Sequence, residues 1–431
     1  MRSVGAAAVT AGLLFVPLAS AATFGRPAEI PLVRAPVSVV ITDATQDGGA
    51  DVVVANSSGP VLTLMPGLRD GSFERPLEIG TGARPRSIAL GDFDNDGGDE
   101  VAVAGGGEIA LYVGVDASLV RQSVTTARSP SALATADLDS DGNLDLIAGS
   151  ADEALVSVFA GLGDGTFAAP RDYAIRSPAT SLLAADLNGD DVADVAASGD
   201  GVSILFANDD GTLRQYQSGG GSAGVRAIAA EDFDSDGLVD LAIAHGANLV
   251  TVIHNEDEER FVNAGSFPVG GTPVAIEVGD IDGDGASDIA TVNRGTNDAS
   301  VLLGTSDGGF RPQFRLRVGR TPVALALEDL DGEGTPDLVT ANRGSKTITV
   351  LLTGADAPQP IVCLVPGVAR RKLAVARRLV GAANCKVARV RRKYSNRVRR
   401  DRVIAVTPLP GTRLPRDSSV TLLVSRGPRK R

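Results

Sequence analysis

"DLDSDGNLDLIAG", Asp137 to Gly149, places four aspartates within nine residues and then runs directly into an apolar, strand-like segment. Carboxylates this close repel one another unless positive charge or water lies among them. The pattern D-x-[DN]-x-D-G-x-x-D followed by a β-type run recurs, with first acids at Asp43, Asp92, Asp137, Asp186, Asp232, Asp280 and Asp329. The intervals are 49, 45, 49, 46, 48 and 49 residues. A near-constant period of this size marks a repeat architecture.

Acidic side chains at alternate positions of a tight loop converge on one point. A flexible cage of hard oxygen donors suits Ca²⁺, which takes about 6–8 such ligands. Gly at the sixth position permits the sharp turn. The acid at position nine instead of twelve, and the strands on both sides, separate this loop from an EF-hand. The plain alternative is an Asp/Asn/Gly-rich turn without metal. The copies are unequal: Thr45 stands at the third position of the first loop, Asp191 replaces the sixth-position Gly of the fourth, and Glu333 stands at the fifth position of the last.

Each period also holds a short apolar segment before the loop ("RSIALGDF", "VAIEVGDI"), another after it ("DLIAG", "DLVTA") and a third β-type run ("TVLLTG", "ALVSVFAG"). An Asp-Gly-Phe turn ("GDGTFAAP", "RDGSFERP", "SDGGFRP") then leads to a last strand. Four strands per period without helical periodicity predict the blade of a β-propeller. In these features the chain resembles the FG-GAP/VCBS-repeat propellers, such as the N-terminal propeller of integrin α subunits, over about residues 23–355. The expected fold is therefore an all-β seven-bladed β-propeller with a small C-terminal α+β domain.

The resemblance implies that side chains one, three, five and nine, with the seventh carbonyl, hold Ca²⁺ at up to seven structural sites. The candidate ligands are Asp43, Asp47 and Asp51; Asp92, Asp94, Asp96 and Glu100; Asp137, Asp139, Asp141 and Asp145; and Asp186, Asn188, Asp190 and Asp194. The later loops add Asp232, Asp234, Asp236 and Asp240; Asp280, Asp282, Asp284 and Asp288; and Asp329, Asp331, Glu333 and Asp337. Thr45 and Asp191 put the first and fourth sites in doubt.

The ends of the chain divide it further. "MRSVGAAAVTAGLLFVPLASAA" carries Arg2, an apolar stretch and small residues before Ala21, the pattern of an export signal over residues 1–21. A buried N-terminal helix is the alternative. No other apolar run reaches the roughly 18–20 residues of a membrane span. The following "ATFGRPAEIPLV" matches outer-strand segments such as "GSFERPLEIG", whereas the seventh repeat stops one strand short at "TITVLLTG". Residues 22–355 should thus form the ring, with residues 23–33 closing the last blade and leaving no open edge.

Beyond a linker at 356–360, the charge balance reverses. Residues 361–431 hold 20 Lys/Arg and two Asp, against 21 basic and 51 acidic residues in the rest of the chain. "VARRKLAVARRLVG", residues 368–381, predicts an amphipathic helix, and three strands follow, with a Pro-Gly turn at 410–411 and a basic tail at 429–431. This order, with "V-P-G-V…VIAVTPLPGTRLPRDSSVTLLVSRGP", is similar to a PASTA domain over residues 361–428. The resemblance implies binding of peptidoglycan or its fragments, and the positive charge suits anionic wall polymers such as teichoic acids. Docking onto the acidic propeller, or solvation alone, also accounts for the charge. Cys363 and Cys385, the only two cysteines, can form a single disulfide closing a loop of about 23 residues, a stabilisation of roughly 3 kcal/mol.

Chemistry beyond binding finds little support in the sequence. No nucleophile elbow (G-x-S-x-G between a strand and a helix), no H-E-x-x-H and no P-loop is found. His245 and His254 lie nine residues apart, where a cross-strand pair is conceivable, and a structural role is expected for them. Seven equivalent acidic sites look structural, because an active site is normally unique. The reading is a secreted or wall-associated, non-enzymatic, monomeric protein. A PASTA-like module targets it to the envelope, while a propeller face opposite the acidic loops ("ANSSGP", "ANRGSK", "VGGTP", "VGRTP") meets an unknown protein or glycan. A propeller-scaffold hydrolase acting on polysaccharide or lipid is the rival. Nucleic acid is not expected as a partner, since only Tyr394 could stack within the basic domain.

Overall fold

The computed structural model describes residues 24–115, 118–208, 210–216, 224–256, 260–354, 362–382, 385–410, 413–415 and 419–428. The export segment, the linker at 356–360, part of the Pro-Gly turn and the tail at 429–431 lie outside the described residues.

The second strand of each repeat shows why the sheets form. Asp51–Asn56, Glu100–Gly105, Asp145–Ser150, Asp194–Gly199, Asp240–His245, Asp288–Asn293 and Asp337–Asn342 are buried along their whole length. Their sequences read as continuous apolar runs because each is covered on both faces. Each lies inside a four-stranded antiparallel sheet, and the described residues contain seven such sheets. The innermost strands are Pro36–Thr42, Ser87–Gly91, Pro130–Ala136, Ser181–Ala185, Val225–Glu231, Pro273–Gly279 and Pro322–Glu328. Each packs against the innermost strand of the next sheet, and the last against the first, so the sheets close into a ring. Outer strands such as Phe314–Arg317 alternate between half-buried and exposed residues, since one of their faces meets water.

The core therefore consists of layers between neighbouring sheets. Val53, Ala55, Leu62 and Leu64 of the first sheet meet Ile88, Val101, Val103 and Tyr112 of the second. The Phe of the Asp-Gly-Phe turns joins these layers. Phe167 meets Phe93 edge-on at 5.4 Å, and Phe310 meets Phe233 at 5.6 Å.

Between the seventh sheet and the first, the join is made by the chain start. Ala28–Pro31 pairs antiparallel with Thr347–Leu351, Ala28 opposite Val350 and Pro31 opposite Thr347. Gly25 N–H to Leu352 O and Leu32 N–H to Lys346 O, both 2.8 Å, extend the pairing. Leu32 is 7% exposed and packs among residues of the first and seventh sheets.

The C-terminal unit has a helix, Leu373–Ala382, over a three-stranded sheet in which Ser419–Ser425 lies between Lys386–Lys393 and Val403–Thr407. A short pair, Val362–Leu364 with Arg413–Pro415, is added. Ala376, Leu379 and Val380 face the core as the helical period predicts. The helix begins five residues later than the amphipathic pattern suggests. Arg370 adopts φ 64, and its N–H bonds to Val403 O at 2.7 Å, so the chain before Leu373 is tied to the sheet. Cys385 is 4% exposed and is not free.

The two histidines do not pair across strands. His245 sits opposite Leu249 at the tight turn of its hairpin, which carries His254 five residues further along to the opposite end of the sheet. Nε2 of His245 lies 2.8 Å from Thr251 Oγ1, and burial lowers its pKa. That is a structural histidine.

Candidate functional site

Each acidic loop joins an innermost strand to the second strand of its sheet. Position one works on the backbone first. Its carboxylate accepts the position-six N–H in all seven loops, at 2.6 Å for Asp43, 3.0 Å for Asp232 and 2.9 Å for Asp92, Asp137, Asp186, Asp280 and Asp329. The sixth residue is left-handed throughout, from φ 66 at Asp191 to φ 94 at Gly334. Glycine takes this conformation without steric cost, whereas Asp191 holds it with a Cβ.

The ninth acid has a role that the sequence pattern does not distinguish from ligation. Asp145 accepts Leu138 N–H at 3.0 Å and Gly161 N–H at 2.8 Å. Asp194 accepts Leu187 and Ala207 at 2.9 and 2.7 Å, Asp240 accepts Phe233 and Asn255 at 3.0 and 2.8 Å, and Asp337 accepts Leu330 and Thr353 at 2.9 and 2.8 Å. Asp288 and Asp51 do the same with Ile281 and Gly304, and with Thr45 and Gly67. This carboxylate thus clasps the loop to the end of the third strand, and in the second loop Glu100, among the described residues, makes the first bond, to Phe93.

These clasps are deeply buried, 0 to 3% exposed. Burial, reinforced by the neighbouring loop acids, pushes Asp51, Glu100, Asp194 and Asp288 up to about 7 and Asp145, Asp240 and Asp337 up to about 6. Burial raises Asp331 to about 7 as well, with Asp337 and Glu333 adding to the effect.

Several loops bring their acids together. Carboxylate oxygens of Asp92, Asp94 and Asp96 lie within 4.8 Å of one another, as do those of Asp137, Asp139 and Asp145, of Asp232, Asp234 and Asp236, and of Asp280, Asp282 and Asp288. Asp137 Oδ1 and Asp282 Oδ2 are buried without a hydrogen-bond partner. Convergent hard oxygen donors with orphaned acceptors fit a divalent cation of the Ca²⁺ type. In the sixth loop Arg311 approaches Asp282 and Asp284 at 3.6 and 3.5 Å.

Two further loops carry side chains that the sequence reading left out of the sites. In the fifth, His254 places Nδ1 3.1 Å from Asp234 and Nε2 4.0 Å from Asp240. Its position at the loop end of a third strand was the available signal. In the first loop, guanidinium groups supply the positive charge: Arg69 bonds to the Asp47 carbonyl, and Arg371 of the C-terminal unit bonds to the Thr45 carbonyl at 2.7 Å. Arg378 on the helix lies 3.6 Å from Glu74. The C-terminal unit thus rests on the first sheet through two arginines. Its edge strand Lys386–Lys393 still exposes Arg389, Arg391 and Lys393.

A closed ring of four-stranded sheets with an acidic loop on each defines a repeat β-propeller. The chain belongs to the FG-GAP-like repeat family, whose model matches residues 43–103, 92–148, 137–197, 186–243, 232–291 and 280–340. Each match begins at the first acid of a loop. The PASTA domain model matches residues 364–426. Similar solved structures include two of BBS1N in complex with ARL6DN, soaked with mercury and with lead. Their TM-score is 0.56, identities are 11% and 12%, and the matches cover 77% and 78% of this chain and 99% and 98% of those. An Agrocybe aegerita lectin that recognises non-reducing terminal N-acetylglucosamine matches at TM-score 0.49 and 18% identity, over 75% of this chain and 86% of that one. At such identities the likeness is one of fold. No curated protein matches the chain. Among the described residues, no helix is long and apolar enough to cross a membrane.

Proposed function

We propose that this is an exported, non-enzymatic propeller protein, held at the cell envelope by its PASTA domain and braced by Ca²⁺ in its acidic loops. The exposed basic edge strand of that domain carries the proposal, because Lys and Arg presented together along one edge suit anionic wall polymer or the carboxylates of peptidoglycan stem peptides. Cys385 pairs with Cys363 in this reading, as befits an oxidising compartment. The loops that gather their acids, starting at Asp92, Asp137, Asp232 and Asp280, hold Ca²⁺ structurally, and the opposite face of the ring meets a protein or glycan.

The test is co-sedimentation of the full chain with purified peptidoglycan, with and without its anionic polymers. Binding that falls with salt and is lost when Arg389 and Arg391 are changed to Gln supports envelope targeting. A chain that stays in the supernatant refutes it.

A further inference from the structure

The seven innermost strands enclose a central channel with a cavity of about 480 Å³, within the size range of small-molecule sites. Its wall is a natural experiment in symmetry, since each repeat contributes the same strand positions. Three residues before the first acid of each loop stand Val40, Ala89, Ala134, Leu183, Ala229 and Ala326 in six repeats, and Glu277 in the sixth repeat. Six residues before that acid, two repeats place Arg86 and Arg226, whereas the other five have Val, Ser or Thr. Val40, Leu183, Ala229, both arginines and Glu277 line the cavity.

Among the described residues, none of these three charged side chains has an ion-pair or side-chain hydrogen-bond partner. Enclosure by the channel wall, with no neighbouring charge contributing, raises the Glu277 carboxyl to about 7, although the side chain is open to the channel. A fold that needed only a filled channel would repeat Ala, Val or Leu at this level, as the other six repeats do. Glu277, Arg86 and Arg226 are all exposed to the channel, so their charges are open to a solute that enters it.

We propose that the channel binds a small amphoteric molecule whose amine pairs with Glu277 and whose anionic end pairs with Arg86 and Arg226. Three strand residues at about 3.3 Å each, shortened by the bulge that several inner strands share, separate the two levels by about 7–10 Å. That spacing selects a short peptide or an ω-amino acid over an α-amino acid, whose charges are too close together. The arginine level lies toward the ring face opposite the acidic loops, so the ligand enters from that face. The site goes beyond the envelope reading and holds whether or not the acidic loops take Ca²⁺.

Isothermal titration of the full chain with 6-aminohexanoate and with triglycine tests this, with hexanoate and pentylamine as single-charge controls. Binding of an amphoteric probe at millimolar concentration or tighter is expected, with each control at least about tenfold weaker. Glu277→Gln, which preserves shape, and the pair Arg86→Gln and Arg226→Gln should each lose about tenfold or more. No binding of either amphoteric probe at millimolar concentration overturns the proposal. So does a Glu277→Gln protein that melts normally and binds as the parent does.

Discussion

Raising the pH of the metal-free protein from about 5 to about 8 should weaken it, the reverse of what carboxylates held ionised in ion pairs would give. The ninth-position acids carry the effect, since burial lifts them from 3.8 (4.5 for Glu100) to about 6 or 7. A folded pKa above the unfolded one contributes stability that is complete below the unfolded value and is lost as pH climbs through the folded value. Between pH 5 and pH 8, where the unfolded acids are already ionised, each such group loses about 1–3 kcal/mol. Even a third of the combined loss is comparable with the whole stability of a typical domain, about 5–15 kcal/mol. With an unfolding entropy of about 2.1 cal/mol/K per residue, a ring of about 330 residues loses about 10 °C of Tm for 7 kcal/mol. Calorimetry in EDTA at the two pH values measures the fall. Excess Ca²⁺ should restore more at pH 8 than at pH 5, because the cation competes with protons for the same oxygens. A Tm in EDTA that is flat or rises toward pH 8 refutes the reasoning.

Leu32→Ala should cost about 3 kcal/mol, since Leu32 is 7% exposed between the first and seventh sheets; a Tm within a degree of the parent would show that the closing strand contributes little. Changing Arg371 and Arg378 to Ala removes two polar contacts that seat the C-terminal unit on the first sheet. Small-angle scattering should then report a larger radius of gyration, and an unchanged radius would mean that other contacts hold the unit.

The period and the blade were legible because the acidic loop obeys strict local chemistry: position one must accept position six, and position six must be left-handed, so Asp and Gly recur at fixed offsets. What was not legible depends on neighbours distant in sequence. Asp145 looks like a fifth-rank ligand until Gly161, sixteen residues on, is seen donating to it. The guanidinium beside Thr45 comes from Arg371, which no local pattern links to the first repeat. The helix of the basic domain was placed too early, because apolar spacing does not register the left-handed Arg370. Glu277 passed as an ordinary strand residue, since its departure appears only when the inner strands are aligned around the channel.

The pairing of Ala28–Pro31 with Thr347–Leu351 also sets a timetable. This first described strand must wait for a partner about 320 residues later, on the order of 15–60 s at usual synthesis rates. Throughout that interval the growing ring has a gap, and any chain that stops before Leu351 leaves an unpaired edge open to other chains. Six sheets pair strands close together in the chain, but the seventh must recruit Ala28–Pro31 from before the first sheet.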